Sequence, residues 1–376
     1  MNDLLPALIA RDRPVPVHLW TAFWDRLRSG DGPPGEALAT LTAMSTLLPG
    51  AETLDAFLTS LDERREDGPR GGGPVPADWP GTVNLVGTGG GPPTVNLSTA
   101  AALLAATLGV RIVKTGSRGY SGRTGSVDVL ERLGIPLTTS YAQCEDALDR
   151  HGIAFAGGFV YPSELTTLAR RILPYGLKQV GRAVNTLGPL LARVPVTTQL
   201  TGVSDPHVHT VFTRLTALRA RPGHRLWLLS NDLGVDELVS FTDNTVFTGT
   251  TGTTDHTAVT DTTVPSHNTT AQRVGPGTLP VLRPARGTLA DLAPVPGGPP
   301  PEVLLKELLG GRGPEAALST IALNAAAAAV LGGARPDWAT ALAEARDALA
   351  EGTALGLVER LTAPRAGSGT GATGHG

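Results

Sequence analysis

The feature that most constrains the fold of this chain is an apolar segment that leads directly into a glycine loop and a helix start. The apolar segment ends at Val86, the loop reads Gly87-Thr88-Gly89-Gly90-Gly91, and Asn96-Leu97-Ser98-Thr99 opens an Ala/Leu-rich stretch. Glycines let backbone N–H groups approach an anion without interference from Cβ, and the unpaired N–H groups of a helix start attract phosphate. The segment predicts a strand, a phosphate-binding loop and a helix. A structural turn with an ordinary N-cap is the alternative.

Short apolar segments alternate with helical ones through much of the chain. TVNLVG, RIVKTG and AFAGGFV are followed by further strand candidates at residues 196–204 and 224–232. This alternation predicts an α/β domain with a central, mostly parallel sheet that is flanked by helices. The Thr-rich segment 242–270 favours strands and loops at the sheet edge.

The N-terminal residues follow a different pattern, with apolar side chains at three- and four-residue steps. This spacing predicts a small all-helical N-terminal domain, and the Gly/Pro-rich residues 66–80 predict a hinge. We therefore expect the helical domain and hinge over residues 1–80, with a helical contribution from 180–195. The α/β domain is expected over 81–363, and the small-residue tail 364–376 is expected to be disordered.

Composition argues against several classes of protein. The formal net charge of the 376 residues is −3, which supplies no positive field for a nucleic-acid backbone. The one cysteine, Cys144, cannot form an internal disulfide, and the N-terminus fits neither a signal peptide nor a transit peptide. The Ala-rich stretch near Ala322 is too short and too weakly apolar to span a membrane. We expect a cytoplasmic protein without a nucleic-acid partner.

A second polar loop follows the next predicted strand. Residues 114–128 contain three cations, Lys114, Arg118 and Arg123, together with hydroxyl groups that include Ser121. Lys114 as a point charge and Ser121 as a donor suit a second phosphate, and a solvated basic loop is the alternative. Loops after consecutive parallel strands lie side by side at the carboxyl edge of a sheet, where ligands of such folds bind.

Two adjacent acids, Asp236 and Glu237, follow the strand candidate 226–230. Carboxylates at a strand end can hold Mg²⁺, which prefers oxygen ligands and bridges to phosphates. A solvated helix start is the alternative.

Together these segments resemble the anthranilate phosphoribosyltransferase family. The resemblance runs from VGTGG through TVNLSTAAALLAATLGVRIVKTGSRGYSGRTGSVDVLERLGI, and NTLGPLLARVPVTTQLTGVSDP, GVDEL and LNAAAAAV follow in the family's order. It implies a small helical domain packed against a large α/β domain, usually as a homodimer. It also implies that the donor, phosphoribosyl pyrophosphate, binds at the hinge with Mg²⁺.

The resemblance also implies roles for individual residues. Asp236 and Glu237 would bind Mg²⁺ with Ser98 as a further ligand, and Lys114 would act in catalysis. The implied chemistry is departure of pyrophosphate from C1 of ribose, with magnesium and the loop donors stabilising the departing charge. The residues implied to hold the donor are Gly87, Thr88, Gly89, Gly90, Asn96, Ser98, Thr99, Lys114 and Ser121.

The chain departs from the family's pattern mostly on the acceptor side. Thr115 and Ser117 replace the His and Asn of the family's Lys-His-Gly-Asn stretch, and Tyr161-Pro162-Ser163-Glu164 replaces a His-Pro segment. Gly91 also replaces the acid of the family's GTGGDG loop. These changes favour another acceptor, such as an aminocyclitol hydroxyl in an antibiotic pathway. The acceptor side would comprise Thr115, Ser117, Tyr161 and Glu164, with Glu164 as a candidate base.

Other functions stay open at this point. Anthranilate itself is an alternative acceptor. A nucleoside phosphorylase of the same fold is a second alternative. A nucleic-acid-binding or regulatory relative that has lost catalysis is a third, because the glycine loop lacks its acid.

Overall fold

The computed structural model describes residues 3–64, 74–119, 124–250, 268–283 and 286–363. Within these ranges the chain forms seven strands and sixteen helices. The strands are β1 Trp79–Gly87, β2 Arg111–Lys114, β3 Ile153–Phe155, β4 Val196–Gly202, β5 Arg225–Asn231, β6 Asn244–Thr250 and β7 Asn268–Val274. The helices are α1 Leu4–Ala10, α2 Val17–Ser29, α3 Glu36–Thr46, α4 Ala51–Asp62, α5 Leu97–Thr107, α6 Ser126–Leu133, α7 Tyr141–His151, α8 Ser163–Arg171, α9 Leu177–Val180, α10 Arg182–Leu191, α11 Pro206–Leu218, α12 Leu289–Leu292, α13 Pro301–Leu309, α14 Glu315–Leu331, α15 Trp338–Ala350 and α16 Thr353–Thr362.

The strands form one sheet in the order β3-β2-β1-β4-β5-β6-β7. The five strands from β3 to β5 are parallel, whereas β6 and β7 extend the sheet in antiparallel register. The expected α/β architecture with a mostly parallel sheet is thereby confirmed. The Thr-rich segment contains β6 and the start of β7, and β7 is the edge strand of the sheet, as the β-forming composition of the segment predicts.

Helices cover both faces of the sheet because alternate side chains of each central strand point to opposite faces. Val83 and Leu85 of β1 share a large core with α5 and α14. The opposite face contributes residues such as Leu228 of β5 to a second core, which the N-terminal helices fill with the rings of Trp20, Trp24 and other aromatic side chains. The sheet is therefore a buried layer whose strand ends open onto the surface.

The described residues before Trp79 form the helices α1–α4 and no strand. Strand β1 begins at Trp79, inside the segment expected as a hinge. Ion pairs and apolar contacts join these helices to α8, α10 and α11, which come later in the chain. The domain boundary at residue 80 stays a prediction. Most of the predicted hinge and all of the tail 364–376 lie outside the described residues.

No helix in the described part of the chain combines the length and the apolar character needed to cross a membrane.

Cys144 is expected to be chemically inert in the native protein. Its Sγ lies 2.9 Å from the hydroxyl of Thr138, and the side chain is buried in α7. Burial raises the pKa of the Cys144 thiol to about 11, and the thiolate is the reactive form. A thiol-reactive maleimide at pH 7 should therefore label the urea-unfolded chain and leave the native chain unlabelled. Rapid labelling of the native chain would contradict this placement.

Candidate functional site

A cavity of about 400 Å³ opens at the carboxyl ends of the central strands. It has the size and the mixed polar and apolar walls of a small-molecule site. The first glycine loop, the second polar loop and the Asp236-Glu237 pair all contribute to its wall, as does α10. The topology explains this convergence, because β2, β1, β4 and β5 are parallel neighbours whose following loops meet at one edge.

The glycine loop is folded against the acidic pair. Gly89 and Gly90 adopt φ angles of +68° and +88°, which other residues rarely tolerate. The Gly89 N–H donates to Oδ2 of Asp236 at 2.8 Å. A Cβ on Gly87 would collide with the same carboxylate. Glycine at position 87 therefore makes room for Asp236 beside the loop.

The second loop lies beside the first. The side-chain amide of Asn96 donates to the carbonyl of Thr124 at 3.4 Å, which joins the two loops directly. Arg118 does not face the cavity as a free cation, because its guanidinium pairs with Asp128 and Glu131 on α6. Arg123 and Ser121 lie outside the described residues.

Lys114 is the buried cation of the cavity. It ends β2, is 3% exposed, and donates from Nζ to the carbonyl of Thr115 at 3.2 Å. Burial lowers the pKa of Lys114 to about 8, although the nearby Glu237 and Asp236 carboxylates act in the opposite direction. A bound polyanion would favour the charged form further.

The two carboxylates form an electrostatically strained pair. Burial, followed by the charge of Asp236, raises the pKa of Glu237 well above its ordinary value, while Lys114 and the backbone N–H of Ser98 oppose the shift. Oε2 of Glu237 is buried and has no hydrogen-bond partner among the described residues. A divalent cation would satisfy this oxygen and relieve the repulsion between the carboxylates. Two carboxylates with room for phosphate oxygens fit Mg²⁺.

Comparison with known proteins decides the family. The model of the glycosyl transferase family, a/b domain, matches residues 80–278. An anthranilate phosphoribosyltransferase of Synechococcus sp. strain JA-3-3Ab is 33% identical over 290 residues, which cover 76% of this chain and 77% of the relative. The chain belongs to the anthranilate phosphoribosyltransferase family.

Solved structures of anthranilate phosphoribosyltransferases share the fold. The enzyme from Thermus thermophilus superposes with a TM-score of 0.71 at 26% identity, covering 96% of this chain and 98% of that one. The enzyme from Saccharomyces cerevisiae in complex with PRPP and Mg superposes with a TM-score of 0.67 at 20% identity, covering 96% and 95%. The superpositions confirm the expected fold, and the family model and the Synechococcus relative confirm the expected family and enzyme class.

The cavity brings together most of the residues that the family resemblance implies. Thr99 is an exception, because its side chain is fully buried behind the first turn of α5 and does not line the cavity. Ser121 lies outside the described residues. The predicted site residues that line the cavity, on the donor side and the acceptor side together, are Gly87, Thr88, Gly89, Gly90, Asn96, Ser98, Lys114, Thr115, Ser117, Tyr161, Asp236 and Glu237. Their individual roles stay predictions.

The structure does not bring Glu164 to the cavity. Glu164 starts α8 with its carboxylate 3.5 Å from the guanidinium of Arg28 and 3.4 Å from that of Arg64. Both arginines come from the N-terminal helical segment, and Glu164 is absent from the cavity wall. Glu164 is thus engaged in a largely buried ion-pair cluster rather than placed to deprotonate an acceptor there.

Of the acceptor-side residues, Ser117 is exposed and lines the cavity, whereas the hydroxyl groups of Thr115 and Tyr161 lie close to other polar groups of the protein. Thr115 is fully buried, and its N–H and hydroxyl lie 3.2 Å from Oδ1 of Asn84 in β1. Its hydroxyl therefore faces the sheet. The hydroxyl of Tyr161 donates to the carbonyl of Gly116 at 3.5 Å. Burial raises the pKa of Tyr161 to about 12, so its hydroxyl stays protonated.

Three cavity residues on α10 were not predicted as site residues, although they belong to the NTLGP motif of the resemblance. They are Asn185, Gly188 and Pro189. The carbonyl of Pro189 accepts a hydrogen bond from the partly buried side chain of Gln199 at 3.0 Å. Gln199 in turn accepts from Asn84, so one hydrogen-bonded chain connects Thr115 with Pro189 on the two walls of the cavity.

Restoring the family's acid at position 91 is expected to damage the glycine loop. A Cβ on Gly91 would collide with the backbone carbonyl of Gly234 and lie 3.1 Å from Cβ of Ser204. Gly91→Asp should cost about 1–3 kcal/mol of unfolding free energy, typical of overpacking, and should not strengthen donor binding. Urea unfolding and donor titration measure both effects. Gly158→Asp is the control, because Gly158 is exposed and has open space around its Cβ position. Tighter donor binding by Gly91→Asp would contradict the prediction.

Proposed function

We propose that this chain transfers the 5-phosphoribosyl group of phosphoribosyl pyrophosphate to a small-molecule acceptor, with Mg²⁺, and releases pyrophosphate. The observation that supports this proposal most is the convergence of two anion-binding loops, Lys114 and the Asp236-Glu237 pair on one cavity. A site for a doubly phosphorylated sugar needs cationic and N–H groups, and a divalent cation needs the paired carboxylates. The anthranilate phosphoribosyltransferase from yeast is known in complex with PRPP and Mg.

The chemistry requires positioning and electrostatic stabilisation rather than a covalent nucleophile. The C1–O bond to pyrophosphate breaks, a bond from C1 to the acceptor heteroatom forms, and the acceptor loses a proton. The loop N–H groups and Lys114 hold the departing pyrophosphate as its negative charge grows. Asp236 and Glu237 would hold Mg²⁺, which supplies Lewis-acid stabilisation of that charge when bound.

The comparisons favour anthranilate as the acceptor over the non-anthranilate acceptor that the sequence analysis favours. Curated relatives that cover three quarters of the chain are anthranilate phosphoribosyltransferases. We therefore propose anthranilate as the first acceptor to test.

A second candidate acceptor is a polyhydroxylated or cationic molecule such as an aminocyclitol. Its specific support is the replacement of larger polar side chains of the family by Thr115 and Ser117, of which Ser117 is exposed and lines the cavity. Such an activity would place the chain in an antibiotic pathway. The position of Glu164 gives no support to that residue as the base.

Two further expectations remain proposals. The family resemblance supports a homodimer, which light scattering of the purified chain would test. A cytoplasmic location is the other, and fractionation of the source cells would test it.

The proposed function is tested by incubating the chain with phosphoribosyl pyrophosphate, Mg²⁺ and either anthranilate or an aminocyclitol. We expect pyrophosphate release that depends on both Mg²⁺ and the acceptor, with a product heavier by one phosphoribosyl group in mass spectrometry. Turnover of anthranilate would support the first candidate, and turnover of the aminocyclitol alone would support the second. Salt-sensitive DNA binding without any turnover would support the regulatory alternative instead.

A further inference from the structure

The segment that carries the acidic pair is held by a helix that does not reach the cavity. Helix α14 is mostly apolar and fully buried along most of its length, yet it contains Thr320 and Asn324 four residues apart on one face. Both side chains are 0% exposed. Asn324 belongs to the LNAAAAAV motif, to which neither the sequence analysis nor the proposed reaction assigns a role.

Asn324 binds the backbone directly after Glu237. The N–H of Leu238 donates to Oδ1 of Asn324 at 3.0 Å, and Nδ2 of Asn324 donates to the carbonyl of Leu238 at 2.7 Å. Nδ2 also donates to the carbonyl of Thr320 at 2.8 Å, which fixes the orientation of the amide. Both backbone groups of Leu238 are thus satisfied by one buried side chain.

Thr320 makes a second attachment two residues further along the segment. Its hydroxyl accepts from the N–H of Ser240 at 3.2 Å and lies 3.1 Å from the hydroxyl of Ser240. One face of α14 therefore binds alternate residues of the segment, and neither attachment involves the carboxylates themselves.

Asn231 braces the same segment from its other side. Its Nδ2 donates to the carbonyl of Glu237 at 2.8 Å and to that of Val235 at 3.1 Å. The backbone around the acidic pair is therefore hydrogen bonded from β5 on one side and from α14 on the other. This arrangement fixes the backbone that carries both carboxylates.

We propose that Asn324, assisted by Thr320, is a positioning residue that holds Asp236 and Glu237 in a metal-binding arrangement before the cation arrives. The inference rests on the proposed magnesium site. A preorganised site binds its cation more tightly because the cost of bringing the ligands together is met during folding. We call the hydrogen bonds from Asn324 and Thr320 to Leu238 and Ser240 the clamp. Loss of the clamp lets the segment relax and separate the two carboxylates, which weakens the metal site without changing a ligand.

The test uses Mn²⁺ as the probe, titrated into the full chain and followed by electron paramagnetic resonance, with and without inorganic pyrophosphate. Asn324→Ala is expected to weaken Mn²⁺ binding by about tenfold, which equals about 1.4 kcal/mol. Thr320→Val, which keeps the side-chain shape, is expected to weaken it by a smaller factor. Ser60→Ala is the control, because it removes a buried 3.0 Å hydrogen bond to Trp24 in the N-terminal helices.

The outcomes separate a positioning role from a purely structural one. Weaker Mn²⁺ binding by Asn324→Ala or Thr320→Val, with unchanged binding by an equally destabilised Ser60→Ala, would support the proposal. Unchanged Mn²⁺ binding by folded clamp variants would overturn it and leave the proposed function standing. Should Asn324→Ala fail to fold, Thr320→Val decides. Absence of Mn²⁺ binding by the unmodified chain would reject the proposed metal site itself, and the clamp with it.

Discussion

Asp236→Asn is expected to lower kcat/KM for phosphoribosyl pyrophosphate by about 10²–10³, the range seen when one electrostatic group is removed from a preorganised site. The substitution keeps the shape of the side chain and removes a charge that raises the pKa of both Glu237 and Lys114. It also weakens the acceptor of the 2.8 Å hydrogen bond from the Gly89 N–H, which holds the glycine loop in place. Steady-state assays at several Mg²⁺ concentrations should show that a higher Mg²⁺ concentration restores kcat/KM only in part.

The matched control for this change is Asp232→Asn. Asp232 lies in the same connection after β5 but is exposed and does not line the cavity. Its substitution should leave kcat/KM within about twofold, since surface changes away from special features have small effects. Equal activities of the Asp236 and Asp232 variants would show that the acidic pair has no part in the reaction.

Lys114→Met is expected to raise KM for the donor about 10²-fold while leaving the fold intact or more stable. A charged hydrogen bond to a phosphate contributes about 1.5–3 kcal/mol, and methionine removes it. Because burial is the largest influence on the Lys114 pKa, the ammonium group opposes folding in the absence of ligand. Donor titration and urea unfolding measure the two effects, and Lys306→Met, at an exposed position on α13, is the control.

The same substitution gives a pH test with a definite sign. The folded chain holds Lys114 at a pKa of about 8, below its ordinary value of 10.5. Between these two pH values the unfolded chain binds more protons at this group, so its contribution makes the unfolding free energy rise with pH. The wild-type chain should therefore gain stability relative to Lys114→Met between pH 8 and 10.5. A constant difference across that window would contradict the burial of a titrating ammonium group at this site.

The sequence predicts the parts of the structure that depend on local patterns. The apolar run before Gly87 and the Asn96-Leu97-Ser98-Thr99 segment predict β1, its loop and α5, because strand, glycine and helix-start signals occur within about twenty residues. The Thr-rich segment likewise predicts edge strands. The patterns considered do not predict helix α7, although Ser140 caps it and Tyr141, Cys144 and Leu148 form its buried stripe.

Contacts between distant segments account for what the sequence does not predict. The sequence predicts Glu164 near the acceptor, but two arginines from the N-terminal helical segment hold its carboxylate elsewhere. The clamp from Asn324 joins residues 86 positions apart, and no local pattern indicates it. In the sequence, Gly91 stands where the family has an acidic residue, which suggests a lost function. In the structure, the backbone of Gly234 leaves no room for a side chain at this position.

The central claim is that two anion-binding loops and a carboxylate pair hold one donor molecule together. A crystal structure of the chain with phosphoribosyl pyrophosphate and Mn²⁺, with the metal located by anomalous scattering, tests it most directly. We expect a metal peak beside Asp236 and Glu237, with the pyrophosphate density between the loops that contain Gly89 and Lys114. A donor bound outside this cavity, or a metal peak remote from both carboxylates, would contradict the claim.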